Sequence, residues 1–252
     1  MILKDIINKL NNLYPESLKQ SYDNVGLMVG RTTKDIKTVL LALDLTRDVM
    51  DEAINLKVDL IITHHPILYY PLSLIDTDKD PGSIVRDLIK YDISNYSLHT
   101  NFDQVKMNDY LADMIGIKNK EILSEKENLG VYGDIEPVNI QDFINDLKNI
   151  LKFESCEYYG AQDLKVKKVG IIGGSGASRI YQAKEKDLDL FITGDVSYSK
   201  AIESKRLNLN VLDVGHEIEA LFMDVIEADL LSLDKSFKIY KSQTRVIQYK
   251  RY

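Results

Sequence analysis

The segment Asp59–Pro66, D-L-I-I-T-H-H-P, constrains the fold of this 252-residue chain more than any other stretch. Its residues 60–62 form a short apolar run typical of a fully buried strand, and Pro66 prevents further strand pairing. Two adjacent imidazoles, His64 and His65, therefore follow the carboxyl end of a strand. Ligands bind at this end in open α/β sheets, and histidine is a common metal ligand. A hydrogen-bonded pair of histidines without a ligand is the alternative interpretation of this segment taken alone.

Alternating strands and helices predict parallel strands around this segment. Residues Val39–Leu43 have the pattern of a buried strand, and Asp48–Leu56 that of a helix returning the chain to residues 59–63. A strand, helix, strand series implies parallel pairing. Lys167–Asp195 aligns without gaps on Lys37–His65 at an offset of 130, and both segments contain Asp-Leu-x-Ile-Thr. We therefore predict an α/β fold of two related lobes with mixed, partly parallel sheets.

The boundary between the lobes is predicted in the polar, charged stretch that follows Lys120 and runs through Asn128. The first lobe would span residues 1–125 and the second residues 126–252, with a carboxyl-terminal strand that can return to the first lobe. Two related lobes would each bring strand ends to a common crevice. This arrangement would explain why candidate ligands lie far apart in the sequence.

All four histidines of the chain follow apolar runs that have the pattern of strands. His99 precedes Asp103 by four residues, and His216 precedes Glu219 by three. A carboxylate at either spacing shares one face of a helical turn with its histidine. Histidines and carboxylates clustered in this way predict a metal centre between the two lobes.

Composition limits the classes of function. The net charge of −7 and the pI near 5.2 argue against a protein that mainly grips a nucleic-acid backbone, although bound cations would still allow a nucleotide substrate. The single cysteine, Cys156, excludes an internal disulfide and a cysteine-rich zinc site. The amino terminus is too charged for a signal peptide and no long apolar run follows, so we expect a cytoplasmic protein without membrane association.

Two loops and one aspartate have both a structural and a functional interpretation. Ser21–Gly30 is either a lid or rim of the site or an Asx-turn that leads into a strand. Ile171–Ser178, I-I-G-G-S-G-A-S, is either a tight strand-to-helix turn or a loop that holds a phosphate at a helix amino terminus. Asp195 aligns with His65 in the repeat and is a candidate proton shuttle or outer-shell partner of the metal site.

Five motifs occur in the order D-N-V-G-L, T-H-H-P, H-T-N-F-D, T-G-D and G-H-x-x-E. Together they resemble the Nif-three-like, YbgI-like family of dinuclear metal proteins, whose bacterial members are often labelled GTP cyclohydrolase 1 type 2 homologues. The resemblance covers nearly the whole chain and implies two α/β lobes and a toroidal homohexamer whose metal sites face an internal cavity. The ligands that it implies for two adjacent divalent ions, one carboxylate bridging them, are His64, His65, Asp103, His216 and Glu219. One departure is Ser199, which follows Tyr198 where many relatives have histidine.

The resemblance favours a metal-dependent hydrolase that acts on a nucleotide, either at a purine ring carbon or at phosphorus. Two metal ions can activate a water and hold both oxygens of a displacement. His99 or Asp195 would transfer protons, and Asp44 would orient a ligand histidine or a water. A shell of imidazoles and carboxylates suits zinc, iron or manganese. The alternatives are a metal-dependent phosphoesterase and a non-catalytic metal-binding or regulatory hexamer.

Overall fold

The computed structural model describes residues 1–244 of the chain. It contains two compact units, one formed by Met1–Phe102 and the segment that begins at Ala220, the other by Asp103–Glu219. Each unit has its own mixed sheet, which confirms the predicted α/β fold with two partly parallel sheets. Within the described residues, no helix is both long enough and apolar enough to cross a membrane.

The helices and strands follow one another closely along the chain. In order they are α1 (Leu3–Leu13), β1 (Gly26–Val29), β2 (Thr38–Ala42), α2 (Arg47–Leu56), β3 (Leu60–Thr63), α3 (Gly82–Lys90), β4 (Ser94–Ser97), α4 (Thr100–Phe102), α5 (Asn108–Met114), β5 (Lys118–Ser124), β6 (Leu129–Asn139), α6 (Ile140–Leu151), β7 (Glu157–Tyr159), β8 (Lys165–Ile171), α7 (Ile180–Glu185), β9 (Leu190–Thr193), α8 (Tyr198–Arg206), β10 (Val211–Asp213), α9 (Phe222–Leu233) and β11 (Lys238–Lys241). A π-helical turn covers Asp103–Met107, and a 3-10 helix covers His216–Leu221.

The sheet of the first unit has the strand order β1-β4-β3-β2-β11. Strands β4, β3, β2 and β11 pair in parallel with one another, and β1 is an edge strand that pairs antiparallel with β4. Every residue of β3 is buried, as its continuous apolar run predicts. Helix α2 begins at an N-cap, Thr46, whose hydroxyl accepts a hydrogen bond from the amide of Val49, and it ends at Lys57 in the left-handed conformation. Because β3 and β4 are parallel neighbours, they end at the same edge of the sheet.

The sheet of the second unit has the strand order β5-β6-β8-β9-β10-β7. Its parallel core consists of β8, β9 and β10, with antiparallel strands on both sides. A lobe boundary was expected in the stretch after Lys120. In the structure, β5 and β6 form a hairpin there, and both strands belong to one unit. As an edge strand, β5 exposes the charged residues of its first half, and that polarity resembles the composition of a linker.

The chain leaves the first unit after Phe102 and returns to it at Ala220. Strand β11 then pairs in parallel with β2. One division between the units thus falls within the H-T-N-F-D motif and the other directly after the G-H-x-x-E motif. The boundary was expected near residue 125. Residues 245–252, which that expectation assigned to the second lobe, lie outside the described part of the chain.

The repeat found in the sequence extends to individual hydrogen bonds. In the first unit the Asp59 carboxylate accepts hydrogen bonds from the backbone amides of residues 37 and 38, both at 2.9 Å. In the second unit Asp189 accepts them from the amides of residues 167 and 168, at 2.9 and 2.8 Å. All three positions differ by 130. Each aspartate directly precedes one parallel strand and hydrogen-bonds to the backbone of the neighbouring strand segment, so the two units fix the pairing of these strands in the same way.

Candidate metal centre

The three histidines of the first unit lie together at the carboxyl edge of its sheet. His64 and His65 follow β3, where their amides donate to the carbonyls of Ala42 and Leu43, and His99 follows the adjacent strand β4. Ring nitrogens of the three histidines lie within 4.8 Å of one another. The ring centroids of His64 and His65 are 5.1 Å apart, and those of His64 and His99 are 5.2 Å apart. Imidazole nitrogens at these distances can hold a metal ion.

Aromatic side chains enclose the innermost histidine. His64 is fully buried, and its ring lies 6.2 Å from the ring of Phe102 and 5.5 Å from that of Phe222. Both phenylalanines belong to the first unit. Apolar rings of this kind keep water away from the imidazole and strengthen the electrostatic interactions that it makes.

Two carboxylates fix the orientation of the other two histidines. Nδ1 of His65 lies 2.8 Å from an Asp44 oxygen, and Nδ1 of His99 lies 2.8 Å from an Asp23 oxygen. A carboxylate can only accept, so Nδ1 carries the proton in each pair and Nε2 presents a lone pair. Hydrogen bonds of this type orient the metal-binding histidines of many proteins. Asp44, at the end of β2, is thus placed to orient His65.

Asp23 is the site residue that sequence reasoning did not single out. It is buried, and one carboxylate oxygen accepts hydrogen bonds from the amide and hydroxyl of Thr100. Burial by itself would raise the pKa of Asp23, but the hydrogen bonds from His99 and Thr100 lower that pKa to about 2. The signal for this role was the D-N-V-G-L motif, whose loop also leads into β1. That loop therefore supplies an ionised partner for His99.

The second unit gathers one histidine and three carboxylates. Nε2 of His216 lies 2.9 Å from a Glu219 oxygen, and Nδ1 lies 2.7 Å from an Asp195 oxygen. Oxygens of Asp103 and Glu219 lie within 4.8 Å of each other. Glu219 is buried and Asp103 is half-buried, and carboxylates this close repel each other unless a cation or a proton is present. This group of oxygen and nitrogen donors can also hold a metal ion.

These carboxylates change the charge state of His216. The hydrogen bond to Glu219 raises the pKa of His216 to about 9, and Asp195 adds to the effect against the opposing influence of burial. In the metal-free protein His216 is therefore protonated at neutral pH. A metal ion that binds at Nε2 replaces this proton, so protons and metal compete for one atom.

A dependence of stability on pH follows for the metal-free protein. Because the pKa of His216 rises from 6.5 to about 9 on folding, its ion pairs stabilise the fold fully below pH 6.5 and are lost as pH rises through 9. We expect the wild type in chelator to lose more thermal stability between pH 6.5 and 9.5 than His216→Gln does. Thermal denaturation followed by circular dichroism measures both. Equal losses in the two proteins would contradict the charged His216.

The glycine-rich segment Ile171–Ser178 packs against Glu219. Gly174 has a φ of +60°, and a Cβ at this position would overlap the Glu219 carboxylate. The amide of Gly176 donates to the Thr193 hydroxyl at 2.9 Å, so it is used within the fold. The helical turn that follows covers only Ala177–Arg179. These contacts favour the tight-turn interpretation, with the glycines making room for a buried carboxylate.

The sequence-predicted site residues thus form two groups. The first unit brings together His64, His65, His99 and Asp44, and the second brings together Asp103, His216, Glu219 and Asp195. Ser199, which follows Tyr198, lies in the first turn of α8, and its hydroxyl lies 3.0 Å from the Ser197 hydroxyl.

Comparisons with known proteins identify the family of the chain. The family model Duf34/NIF3 (NGG1p interacting factor 3) matches residues 1–247. The chain is 40% identical over 225 residues to a Clostridium perfringens protein named GTP cyclohydrolase 1 type 2 homolog, covering 86% of each chain. It is 32% identical over 250 residues to a Lactococcus lactis protein of the same name, covering 97% of each. The crystal structure of a Bacillus cereus protein related to NIF3 superposes with a TM-score of 0.92 at 26% identity, covering 100% of this chain and 99% of that one. The chain belongs to the Duf34/NIF3 family.

Proposed function

We propose that this protein binds two divalent metal ions and uses them to hydrolyse a nucleotide. The proposed ligands are His64, His65, Asp103, His216 and Glu219. The observation that carries the proposal is that two of these histidines are already oriented for binding, His65 by Asp44 and His216 by Asp195, each through Nδ1. The relatives named as GTP cyclohydrolase homologues support a nucleotide as the substrate.

The donor set fits the proposed ions. Imidazole nitrogens and carboxylate oxygens together suit zinc, iron or manganese, and no thiolate is involved. Two such ions, when bound, would lower the pKa of water and stabilise negative charge on the substrate. The fold also restricts the position of the proposed ligand Glu219, because it is buried and the turn at Gly174 lies against its carboxylate.

The remaining polar residues divide into two roles. His99 presents Nε2 while Asp23 holds Nδ1, so His99 can accept or donate a proton at Nε2. The sequence placed Asp44 and Asp195 among the candidate catalytic residues. In the structure each is hydrogen-bonded to Nδ1 of a proposed ligand. We therefore assign Asp44 and Asp195 to positioning these histidines and His99 to proton transfer.

Turnover by purified protein tests the proposal. We expect the zinc-, iron- or manganese-loaded wild type to hydrolyse GTP, and a chelator or His64→Ala to abolish the reaction. Release of formate would identify attack at the purine ring carbon, release of phosphate from GTP would identify attack at phosphorus, and cleavage of a generic phosphodiester would identify a phosphoesterase. Two tightly bound ions without turnover of GTP or a generic phosphodiester would contradict the hydrolase and leave a binding role.

The homohexamer implied by the family resemblance belongs to the same proposal. Six chains of 28.8 kDa would assemble in solution. Light scattering of the metal-loaded protein measures this mass directly. A monomeric or dimeric mass under the conditions of the turnover assay would contradict the hexamer without affecting the ligand assignment.

A further inference from the structure

An exposed aromatic segment follows the histidine pair. After His65 the chain continues as P-I-L-Y-Y-P-L-S-L-I, residues 66–75. Tyr69 is half-buried and Tyr70 is 75% exposed, and their rings pack edge to face with centroids 4.8 Å apart. The Tyr69 ring lies 6.3 Å from the ring of His99. An aromatic surface therefore begins directly beside the proposed proton-transfer group.

A second segment holds this aromatic surface in place. The side-chain amide of Asn24 donates to the carbonyl of Leu68 at 2.6 Å. The neighbouring Asp23 is hydrogen-bonded to His99, and Tyr22, one residue earlier, is 62% exposed. Burial first, and then Asp23 and the phenols of Tyr22 and Tyr70, raise the pKa of Tyr69, which agrees with the closeness of these side chains. The segment that orients His99 through Asp23 therefore also holds the tyrosine segment through the hydrogen bond of Asn24 to Leu68.

Exposed aromatic rings beside a polar site suit a flat heteroaromatic ligand. Stacking of a nucleobase on an aromatic side chain contributes about 1–3 kcal/mol per base and does not depend on base identity. A net charge of −7 does not favour recognition through phosphates alone. Reaction at a ring carbon also requires the base itself to reach the histidines.

We propose that Tyr69 and Tyr70 form an aromatic platform that stacks the base of the substrate nucleotide beside His99. The inference rests on the proposed nucleotide hydrolase and adds the residues that recognise the base. The nearby aliphatic side chains of Leu72, Leu74 and Ile75 are also exposed and suit a contact with a second copy of the chain. The rings of Tyr69 and His99 are 6.3 Å apart, and this closeness favours a nucleobase, rather than a second copy of the chain, as the partner of the tyrosines.

Calorimetry on the full-length, metal-loaded protein tests the platform. The probes are guanosine, which has a base and no phosphate, and inorganic triphosphate, which has no base. We expect guanosine to bind about 10- to 100-fold more weakly to Tyr69→Ala than to the wild type, and Tyr69→Phe to retain the affinity. Tyr91→Ala is the matched control, because Tyr91 is 45% exposed and lies before β4, at the end opposite His99. This control should bind guanosine as the wild type does.

The outcomes separate this inference from the proposed function. Guanosine binding that depends on Tyr69, without any turnover of GTP, would support the platform and contradict the hydrolase. Equal guanosine affinity of Tyr69→Ala and the wild type, or no binding of guanosine to the wild type at millimolar concentration, would overturn the platform. A change of oligomeric state in Tyr70→Ala with unchanged guanosine affinity would assign Tyr70 to a contact between copies and would overturn its part in the platform.

Discussion

His65→Ala should hold at most one metal ion per chain under conditions in which the wild type holds two. The substitution removes a proposed ligand atom, Nε2, from the ring that the Asp44 hydrogen bond orients. Asp44→Ala removes only that orienting bond, and loss of an outer-shell partner typically weakens metal affinity about 10- to 100-fold. We therefore expect a graded series in which Asp44→Ala weakens binding and His65→Ala abolishes binding at one site.

Metal content after dialysis and the shift in melting temperature measure this series. A metal present at 100 times its dissociation constant stabilises the folded protein by about 2.7 kcal/mol. For a chain of this length, that corresponds to a rise in melting temperature of roughly 5–11 °C. The rise should be reduced in Asp44→Ala and reduced further in His65→Ala. Asp51→Ala is the matched control, because it removes an exposed carboxylate from α2 and should keep the full shift.

Two results would count against the ligand assignment. If His65→Ala retained two ions with unchanged affinity, His65 would not be a ligand. If Asp44→Ala lost as much metal as His65→Ala, then Asp44 would itself bind metal, and its hydrogen bond to Nδ1 would be a feature of the metal-free state. Circular dichroism of both variants checks that the first unit still folds.

The strand-end histidines were predictable because local sequence determines them. A short apolar run that ends in T-H-H-P leaves few places for the imidazoles except the carboxyl edge of a parallel sheet. The pairing of His99 with Asp23 was not predictable in this way. The two residues are 76 positions apart, and no periodic pattern links a loop carboxylate to a histidine on another strand. Only the packing of β1 against β4 brings them together.

The unit boundary was misplaced for a related reason. A solvated edge strand and a flexible linker are both polar, so the composition of residues 120–128 could not distinguish them. The hydrogen bonds of β5 to β6 decide in favour of the strand. By contrast, the repeat at an offset of 130 residues was visible in the sequence, and Asp59 and Asp189 each accept hydrogen bonds from two backbone amides of a neighbouring strand segment. Where a side chain hydrogen-bonds to the backbone in both units, the residue can stay the same at low overall identity.

His99→Gln should retain both metal ions and lose about 100- to 10,000-fold in turnover, the usual contribution of a positioned acid or base. The glutamine preserves a polar side chain of similar length but cannot take up a proton at neutral pH. Asp23→Asn should lower turnover less, because the amide oxygen can still accept the Nδ1 hydrogen bond of His99 although the negative charge beside the ring is lost. Metal content, turnover and the pH profile of each variant measure these effects together.

The metal content of His99→Gln decides between two roles for this histidine. Ring nitrogens of His99, His64 and His65 lie within 4.8 Å of one another, so the geometry of the first unit also suits three imidazole ligands around one ion. If His99→Gln lost one ion in parallel with its activity, His99 would be a ligand and Asp23 its orienting carboxylate, as Asp44 is for His65. If both ions remained while turnover fell, proton transfer would be assigned to His99. A variant with full turnover and both ions would exclude His99 from the reaction altogether.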